Sequence, residues 1–522
     1  MSNSSYSDNS TGNIEKKGHS FLLRQSAEKC ADLHYAWFVT DSASLLNISY
    51  IIMNHTPDLG QSYYPADLSS ALIRQFECNN RNYTVYPDSS RFIEAFDMQT
   101  YIAWMNSHKI GVVRRPLSLY IHFPYCKSLC FHCHYNQIIA NDCTDIKRYL
   151  NYLSREIKLQ GKLFRDYSQV AQLHLGGGTP TFLNDVQLGN IMDEIRRNFS
   201  LMKNGEFFIE IDPRQLTNTA LKTYRNMGFN CAIISVHDFD QNIQRAINRF
   251  QSEQCTLYAI QSAQQEGFKS IRMEIVYGLP KQTIKTFDCT LEKIISANPD
   301  QISLLNYFHL PEKYKPQRSI NIDKLPPDEI KSEILLLGIS RLIDAGYIPI
   351  GMNLFAKQDD QLVAAQRQGR LHYGLQGFSV HPDSSVIALG VSAIGSLGPT
   401  LSQNHYDPLK YYDKLEHDQL PIMRGIELSA DDLLRRAVIH ALICHSVLFF
   451  ESIETFFPID FKHYFATELT ELLVHEQAEL LILGDKEIAI TTKGKLLIGS
   501  ICMVFDKYLR ISKERKYYSA VI

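Results

Sequence analysis

Between residues 117 and 357 short apolar runs alternate with longer stretches at helical period, and this alternation limits the architecture more than any other feature. The strand candidates are 117–123, 172–178, 206–212, 231–239, 270–278, 301–310 and 347–355. Helical stretches lie between them: TDIKRYLNYLSREIKLQGKLF, NTALKTYRNM, EQCTLYAIQSAQQE, TFDCTLEKII and DEIKSEILLLGISRLID. Three of these close on a glycine followed by an aromatic, at Gly228-Phe229, Gly267-Phe268 and Gly346-Tyr347, where glycine suits a left-handed cap. A βα unit of about 30 residues, repeated six or seven times, predicts a parallel sheet. Strands that read apolar at nearly every position suggest that both faces are covered. The fold class expected is therefore α/β, a full or partial TIM-type (β/α) barrel, with a doubly wound sheet as the alternative.

In a barrel, reactive residues sit at the carboxyl ends of the strands and in the loops that follow. His122, Gly176 to Thr179, Glu210, Asp212, His237, Glu274 and Asn306 all fall at such ends.

The flanks have a different character. Residues 1–30 read as a polar, solvated tail and 31–110 as an N-terminal extension, with the barrel expected over 111–400. Residues 405–522 lose the βα rhythm and read as helices around a hairpin, ELLILGDKEIAIT, a pattern that resembles a winged helix. They lack the basic recognition helix of a DNA reader. Across the chain 53 basic and 56 acidic residues are mixed, giving a formal charge of −3, so no electrostatic footprint for nucleic acid stands out. The longest apolar stretches, Tyr35 to Met53 and Ala437 to Phe450, are broken by Asp41 and by His440 and His445, so no membrane span is expected. Eleven cysteines, an odd number without a secretion-type leader, suggest a reducing cytoplasm.

Three of those cysteines cluster directly after the first strand. Cys126, Cys130 and Cys133 follow a C-x3-C-x2-C spacing. Three thiolates this close can hold one soft metal centre, and an iron–sulfur cube with three protein ligands leaves one iron open. An open iron is what chelation of S-adenosylmethionine (SAM) requires, and SAM is a source of radical chemistry. Zinc bound with His122, His132 or His134, and a Cys130–Cys133 redox dithiol, are the competing readings. Paired zinc-knuckle spacing is absent, and the downstream residues fit SAM better. Gly176-Gly177-Gly178-Thr179 offers bare backbone to a ligand, and Glu210 a carboxylate to a ribose hydroxyl or an ammonium group.

YIHFPYCKSLCFHC, QLHLGGGTPTFL, FIEIDPR, ISVHDF, INRFQ, YGLPKQT, NYFHLP, LGVSAIG, RGIEL, LLRRAVIHALIC and ICMVFDKYL together resemble the oxygen-independent coproporphyrinogen III oxidases, a radical SAM family. The likeness runs from about Asn82 to the C-terminus. It implies a [4Fe-4S] cluster on Cys126, Cys130 and Cys133, with one or two SAM molecules per chain. The first SAM would lie near Tyr120, Gly177, Thr179, Glu210, Arg249 and Ile394, and a second near His132, Gly178, His237, Arg249, Glu274 and Phe308. Tyr120, His122, Glu210 and Arg249 would carry catalytic roles. The reaction implied converts two propionates of coproporphyrinogen III to vinyl groups, giving protoporphyrinogen IX in anaerobic haem synthesis. It needs an electron donor such as flavodoxin or ferredoxin, in a cytoplasmic and monomeric enzyme.

The sequence departs from the family pattern at defined positions. Tyr135 replaces a further cysteine, His134 a glycine, and His132 an aromatic; His237 replaces Gln, Glu274 Asp, Phe308 Ala, and Asn82 Arg. These leave two other readings open: a divergent enzyme acting on another tetrapyrrole, and a haem-binding or delivery protein with His132, His134 or His440 as axial ligand. A tetracarboxylate substrate also wants basic donors, for which Arg214, Arg249 and Arg272 near the mouth are candidates, with Gln376 a further contact.

Overall fold

A computed structural model describes residues 68–77, 85–108, 116–135, 137–139, 143–165, 169–382 and 385–511. The polar tail, the Tyr35 to Met53 stretch and Asn82 lie outside the described residues.

One twelve-stranded sheet organises the chain. Its strands are β1 (Leu117–Phe123), β2 (Val170–Gly177), β3 (Leu201–Ile211), β4 (Cys231–His237), β5 (Ser270–Tyr277), β6 (Gln301–Asn306), β7 (Ile348–Gly351), β8 (Leu354–Ala356), β9 (Val386–Leu389), β10 (Ile394–Leu397), β11 (Thr400–Asn404) and β12 (Ile422–Glu427). The spatial order is β12-β11-β10-β9-β1-β2-β3-β4-β5-β6-β8-β7. Pairings from β9 through β1 to β6 are parallel, and both flanks are antiparallel. A sheet with two ends is an open, partial barrel rather than a closed one.

α1 (Ser70–Glu77) precedes the barrel, and α2 (Cys143–Leu163), α3 (Asp185–Asn198), α4 (Ala220–Asn226), α5 (Glu253–Gln265), α6 (Ile284–Ala297) and α7 (Asp328–Asp344) follow successive strands. Gly228, Gly267 and Gly346 take φ of +99°, +71° and +85°, the left-handed caps expected of them. Helix α3 has no counterpart among the sequence candidates, although Asn184 and Gln187 form a capping box at its start.

Two expectations need correction. The run 347–355 is not a seventh parallel strand: Met352 and Asn353 both take positive φ, and the chain reverses there into the β7–β8 hairpin. Pro349 cannot donate to a ladder, and β7 is the sheet edge where that is tolerated. The strands are also not apolar on both faces. Leu119, Ile121, Leu173, Leu175, Ile209, Ile234 and Met273 are fully buried in the main hydrophobic core. The alternate residues turn the other way and pair across strands: Gln172 Nε2 donates to Glu206 at 2.9 Å, and His174 lies 2.9 Å from Glu210. The barrel interior is thus a polar channel leading up to the strand ends.

Beyond the barrel, α8 (Ala430–His445) starts at a Ser429/Asp432 capping box and leads into a three-stranded antiparallel sheet of 447–449, 487–490 and 481–483, against which α9 (Ala466–Gln477) packs. His440 and His445 lie on α8 with buried Cys444 between them, and His440 Nε2 accepts the Tyr373 N–H at 3.3 Å. Among the described residues no helix is long and apolar enough to cross a membrane.

Candidate active site

The cysteine loop leaves β1 at Phe123 and returns over the barrel mouth. Gly178 N–H donates to Phe123 C=O at 2.6 Å and Thr179 N–H to Tyr125 C=O at 2.9 Å, which clamps the glycine turn against the loop. Glycine is required there by space. A Cβ at Gly178 would lie 2.7 Å from Tyr125 O, and one at Gly177, whose φ is +105°, would lie 2.5 Å from the His122 ring.

Cys126, Cys130, Cys133, His132, Gly177, Gly178, Thr179, Glu210, His237, Arg249, Glu274 and Phe308 line one cleft of about 1170 Å³, counted to its open mouth. The cysteines are free thiols. Thr179 Oγ1 lies 3.5 Å from Cys126 Sγ, Tyr135 N–H 3.5 Å from Cys133 Sγ, and Arg249 Nη1 3.8 Å from Cys130 Sγ. Donors aimed at sulfur are what cluster-bound thiolates need, so the residues fit a [4Fe-4S] group. Without such a partner burial pushes the thiols up, Cys126 to about 11 and Cys133 to about 12. Among the described residues no three His, Cys, Asp or Glu side chains gather to hold a single ion.

On the β2–β3 side Glu210 is oriented twice, by His174 Nε2 at 2.9 Å and by Gly177 N–H at 3.2 Å. Asp212 grips Arg214 through Nε and Nη2 and lies 3.6 Å from Arg249, whose Nη2 donates to Ser235 C=O at 3.0 Å. Burial alone would raise the Asp212 carboxyl, but Arg249 and Arg214 outweigh it and hold it below the usual range.

On the opposite wall the register of β4 shifts between Ser235 and His237, a bulge that places His237 at φ +71°. His237 Nδ1 meets His132 Nε2 at 2.5 Å. Burial, reinforced by Arg249, pushes His132 down to about 3 and His237 well below its ordinary value, so both are neutral and one donates to the other. Burial together with Lys313 holds His134 at about 4. Glu274 accepts from Ser235 Oγ at 2.9 Å, while burial and the nearby Glu210 raise its carboxyl. Burial and the same two carboxylates raise the Tyr135 phenol.

Not every candidate reaches the cleft wall. Tyr120 and His122 sit deeper on β1, joined OH to Nδ1 at 3.0 Å, and Ile394 packs on Phe92 and Leu401. Neither they nor Arg272 and Gln376 line the cleft. Arg272 lies down the channel, bound to Gln301 at 2.9 Å, and Gln376 donates to Leu119 C=O at 3.2 Å. His440 is in the C-terminal helical region, away from the cysteines. Conversely, Ser235, Tyr307, Tyr314 and Gln317 line the cleft and were not singled out in the sequence. Ser235 lies on β4, whereas the positions of Tyr307, Tyr314 and Gln317 depend on the fold of the chain after β6, for which the local signal is its aromatic content.

Comparison with known proteins agrees with this geometry. The model of the radical SAM superfamily matches residues 120–294. The chain is similar to the oxygen-independent coproporphyrinogen III oxidase of Pseudomonas aeruginosa, 41% identical over 86% of this chain and 98% of that one. The Escherichia coli enzyme is 38% identical over 87% and 99%. A solved structure of coproporphyrinogen III oxidase from Escherichia coli, HemN, described as a radical SAM enzyme, superposes with a TM-score of 0.80 over 85% of this chain and 99% of that one. The chain therefore belongs to the oxygen-independent coproporphyrinogen III oxidase family, within the radical SAM enzymes.

Proposed function

We propose that this protein is an oxygen-independent coproporphyrinogen III oxidase, converting two propionates of its substrate to vinyl groups in anaerobic haem synthesis. The observation that carries the reading is the convergence of Cys126, Cys130 and Cys133 with Gly177, Thr179, Glu210 and Arg249 on one cleft at the strand ends. In this reading Cys126, Cys130 and Cys133 would hold a [4Fe-4S] cluster, which when bound would supply the electron for reductive cleavage of SAM to a hydrogen-abstracting radical. Each propionate would lose a β-hydrogen atom to that radical, then CO2, with the remaining electron passing to a one-electron acceptor, leaving the vinyl group.

The chain's own residues bind and orient. Glu210, fixed by His174 and Gly177 N–H, presents carboxylate oxygens to an ammonium or ribose hydroxyl. Asp212 lies 3.6 Å from Arg249, whose Nη1 is 3.8 Å from Cys130 Sγ, so the guanidinium would put positive charge beside a cluster bound on that cysteine. Tyr120 and His122 support the glycine turn from below, the His122 ring filling the space a Gly177 Cβ would need. His132, Gly178, His237, Glu274 and Phe308 face a second SAM or the substrate. A small electron carrier of the flavodoxin or ferredoxin type would feed a monomeric, cytoplasmic enzyme.

The test is anaerobic. Protein reconstituted with iron and sulfide is given dithionite, SAM and coproporphyrinogen III, and 5′-deoxyadenosine and protoporphyrinogen are measured in one chromatogram. Both products are expected. Deoxyadenosine without vinyl product would keep the radical enzyme and discard the substrate; neither product, with the cluster intact, would overturn the reading.

A further inference from the structure

A second cavity, of about 980 Å³ counted to its open mouth, lies behind the wall formed by the chain after β6, and Asn306, Tyr307, Phe308 and Leu310 border both it and the active-site cleft. Its far side is built by α7 and by Ile73 of α1, which is tied to α7 through an Arg74–Glu329 ion pair at 2.7 Å. The walls are amphiphilic: Ile73, Leu325 and Leu335 are apolar, whereas Lys331 brings an ammonium group and Asp328 a carboxylate.

Lys331 is built into this position. Its Nζ donates to Tyr307 C=O at 2.7 Å and sits 4.9 Å from the centre of the Phe308 ring. Its stem lies against Gly278, where φ is +84° and a Cβ would come within 2.6 Å of Lys331 Cε, so the glycine makes room for the lysine. Beside it Asn306 Oδ1 is buried without a hydrogen-bond donor among the described residues. A buried acceptor left without a donor at the boundary of two cavities is costly unless something that enters supplies one.

The arginines that a carboxylate-rich substrate would want are committed elsewhere. Arg214 is forked onto Asp212, Arg249 is held by Ser235 C=O and Asp212, and Arg272 is bound to Gln301 inside the channel. Lys331, itself bonded to Tyr307 C=O, is a cation on the wall of the side cavity.

We propose that this side cavity is an anchoring subsite for a carboxylate arm of the substrate that is not reacting. The arm would run past Phe308 with its carboxylate on Lys331 Nζ and a pyrrole N–H directed to Asn306 Oδ1. The inference rests on the proposed function and deepens it, because it says how a tetracarboxylate is held while one arm faces the cysteines. The methionine carboxylate of SAM has the same chemistry and is the competing source.

The experiment uses the full chain and coproporphyrin III, an air-stable tetracarboxylate, with its tetramethyl ester and SAM as comparison ligands. Binding is followed by porphyrin fluorescence anisotropy and, for SAM, by equilibrium dialysis on the reconstituted protein. Lys331→Met keeps the stem and removes the charge; it is expected to weaken coproporphyrin III at least about tenfold, with the ester and SAM unchanged and Lys331→Arg restoring affinity. Equal coproporphyrin III binding by wild type and Lys331→Met would overturn the subsite and leave the proposed function standing. A loss confined to SAM would overturn it in favour of the competing source. Failure of the wild type to bind coproporphyrin III at all would remove both the subsite and the substrate assignment.

Discussion

The two walls of the active-site cleft follow different rules. The wall made by Cys126, Cys130 and Cys133, the Gly176–Thr179 turn and the ends of β2 and β3 keeps the family pattern and is held by backbone contacts. Gly178 and Thr179 are hydrogen-bonded to the loop, and the glycines sit where no Cβ fits. The other side, His237, Glu274 and Phe308, departs from that pattern and is made of side chains: His237 meets His132, which reaches it from the cysteine loop, and Phe308 lies against Lys331 of α7. A wall fixed by backbone contacts tolerates few substitutions, whereas a wall of side chains can change without moving the cofactor. The difference places the chain's individuality on the side of His237, Glu274 and Phe308.

The comparison can be broken most severely from the cysteine side. Cys130→Ala should lower iron content and absorbance near the cluster band to apoprotein levels and cut deoxyadenosine formation at least about a hundredfold. Glu210→Gln should leave the cluster absorbance intact and weaken SAM about ten- to a hundredfold in equilibrium dialysis, because a charge-assisted contact is lost. Gly177→Ala, strained at φ +105° and blocked by His122, should cost about 1–3 kcal/mol, read as a lower unfolding midpoint of the apoprotein.

Changes on the facing wall should be milder and of another kind. His237→Gln should keep SAM cleavage within about threefold while altering the ratio of deoxyadenosine to vinyl product; an equal loss of both would erase the distinction between the walls. The smallest effect concerns acid. His132 sits at about 3 in the fold and at about 6.5 when unfolded, so between these values the unfolded chain binds more protons and stability falls as pH drops below about 6.5. Thermal midpoints measured between pH 7.5 and 5 should slope less in the His132→Phe variant than in the wild type.

Much of the first wall was legible in the sequence because it is local. A C-x3-C-x2-C loop follows a strand, a glycine run ends the next, and Glu210 ends the third. The second wall required the fold. Nothing near His237 announces the β4 bulge that brings it to His132, 105 residues away. The polar channel was hidden because Ser118, Gln172 and Glu206 hydrogen-bond across strands inside runs that read as apolar. The β7–β8 reversal was missed because Met352-Asn353 lacks the glycine that usually marks such a turn, although Pro349 argued against an interior strand. Lys331 reads as one more helix-surface lysine until Gly278 and Phe308 are placed beside it.

The most direct measurement is electron paramagnetic resonance of the anaerobically reconstituted, dithionite-reduced protein before and after SAM is added. If the cysteine wall holds a cube with an open iron, the reduced signal should be that of a [4Fe-4S] cluster and should shift when SAM binds. A reduced cluster whose spectrum is indifferent to saturating SAM would contradict the account.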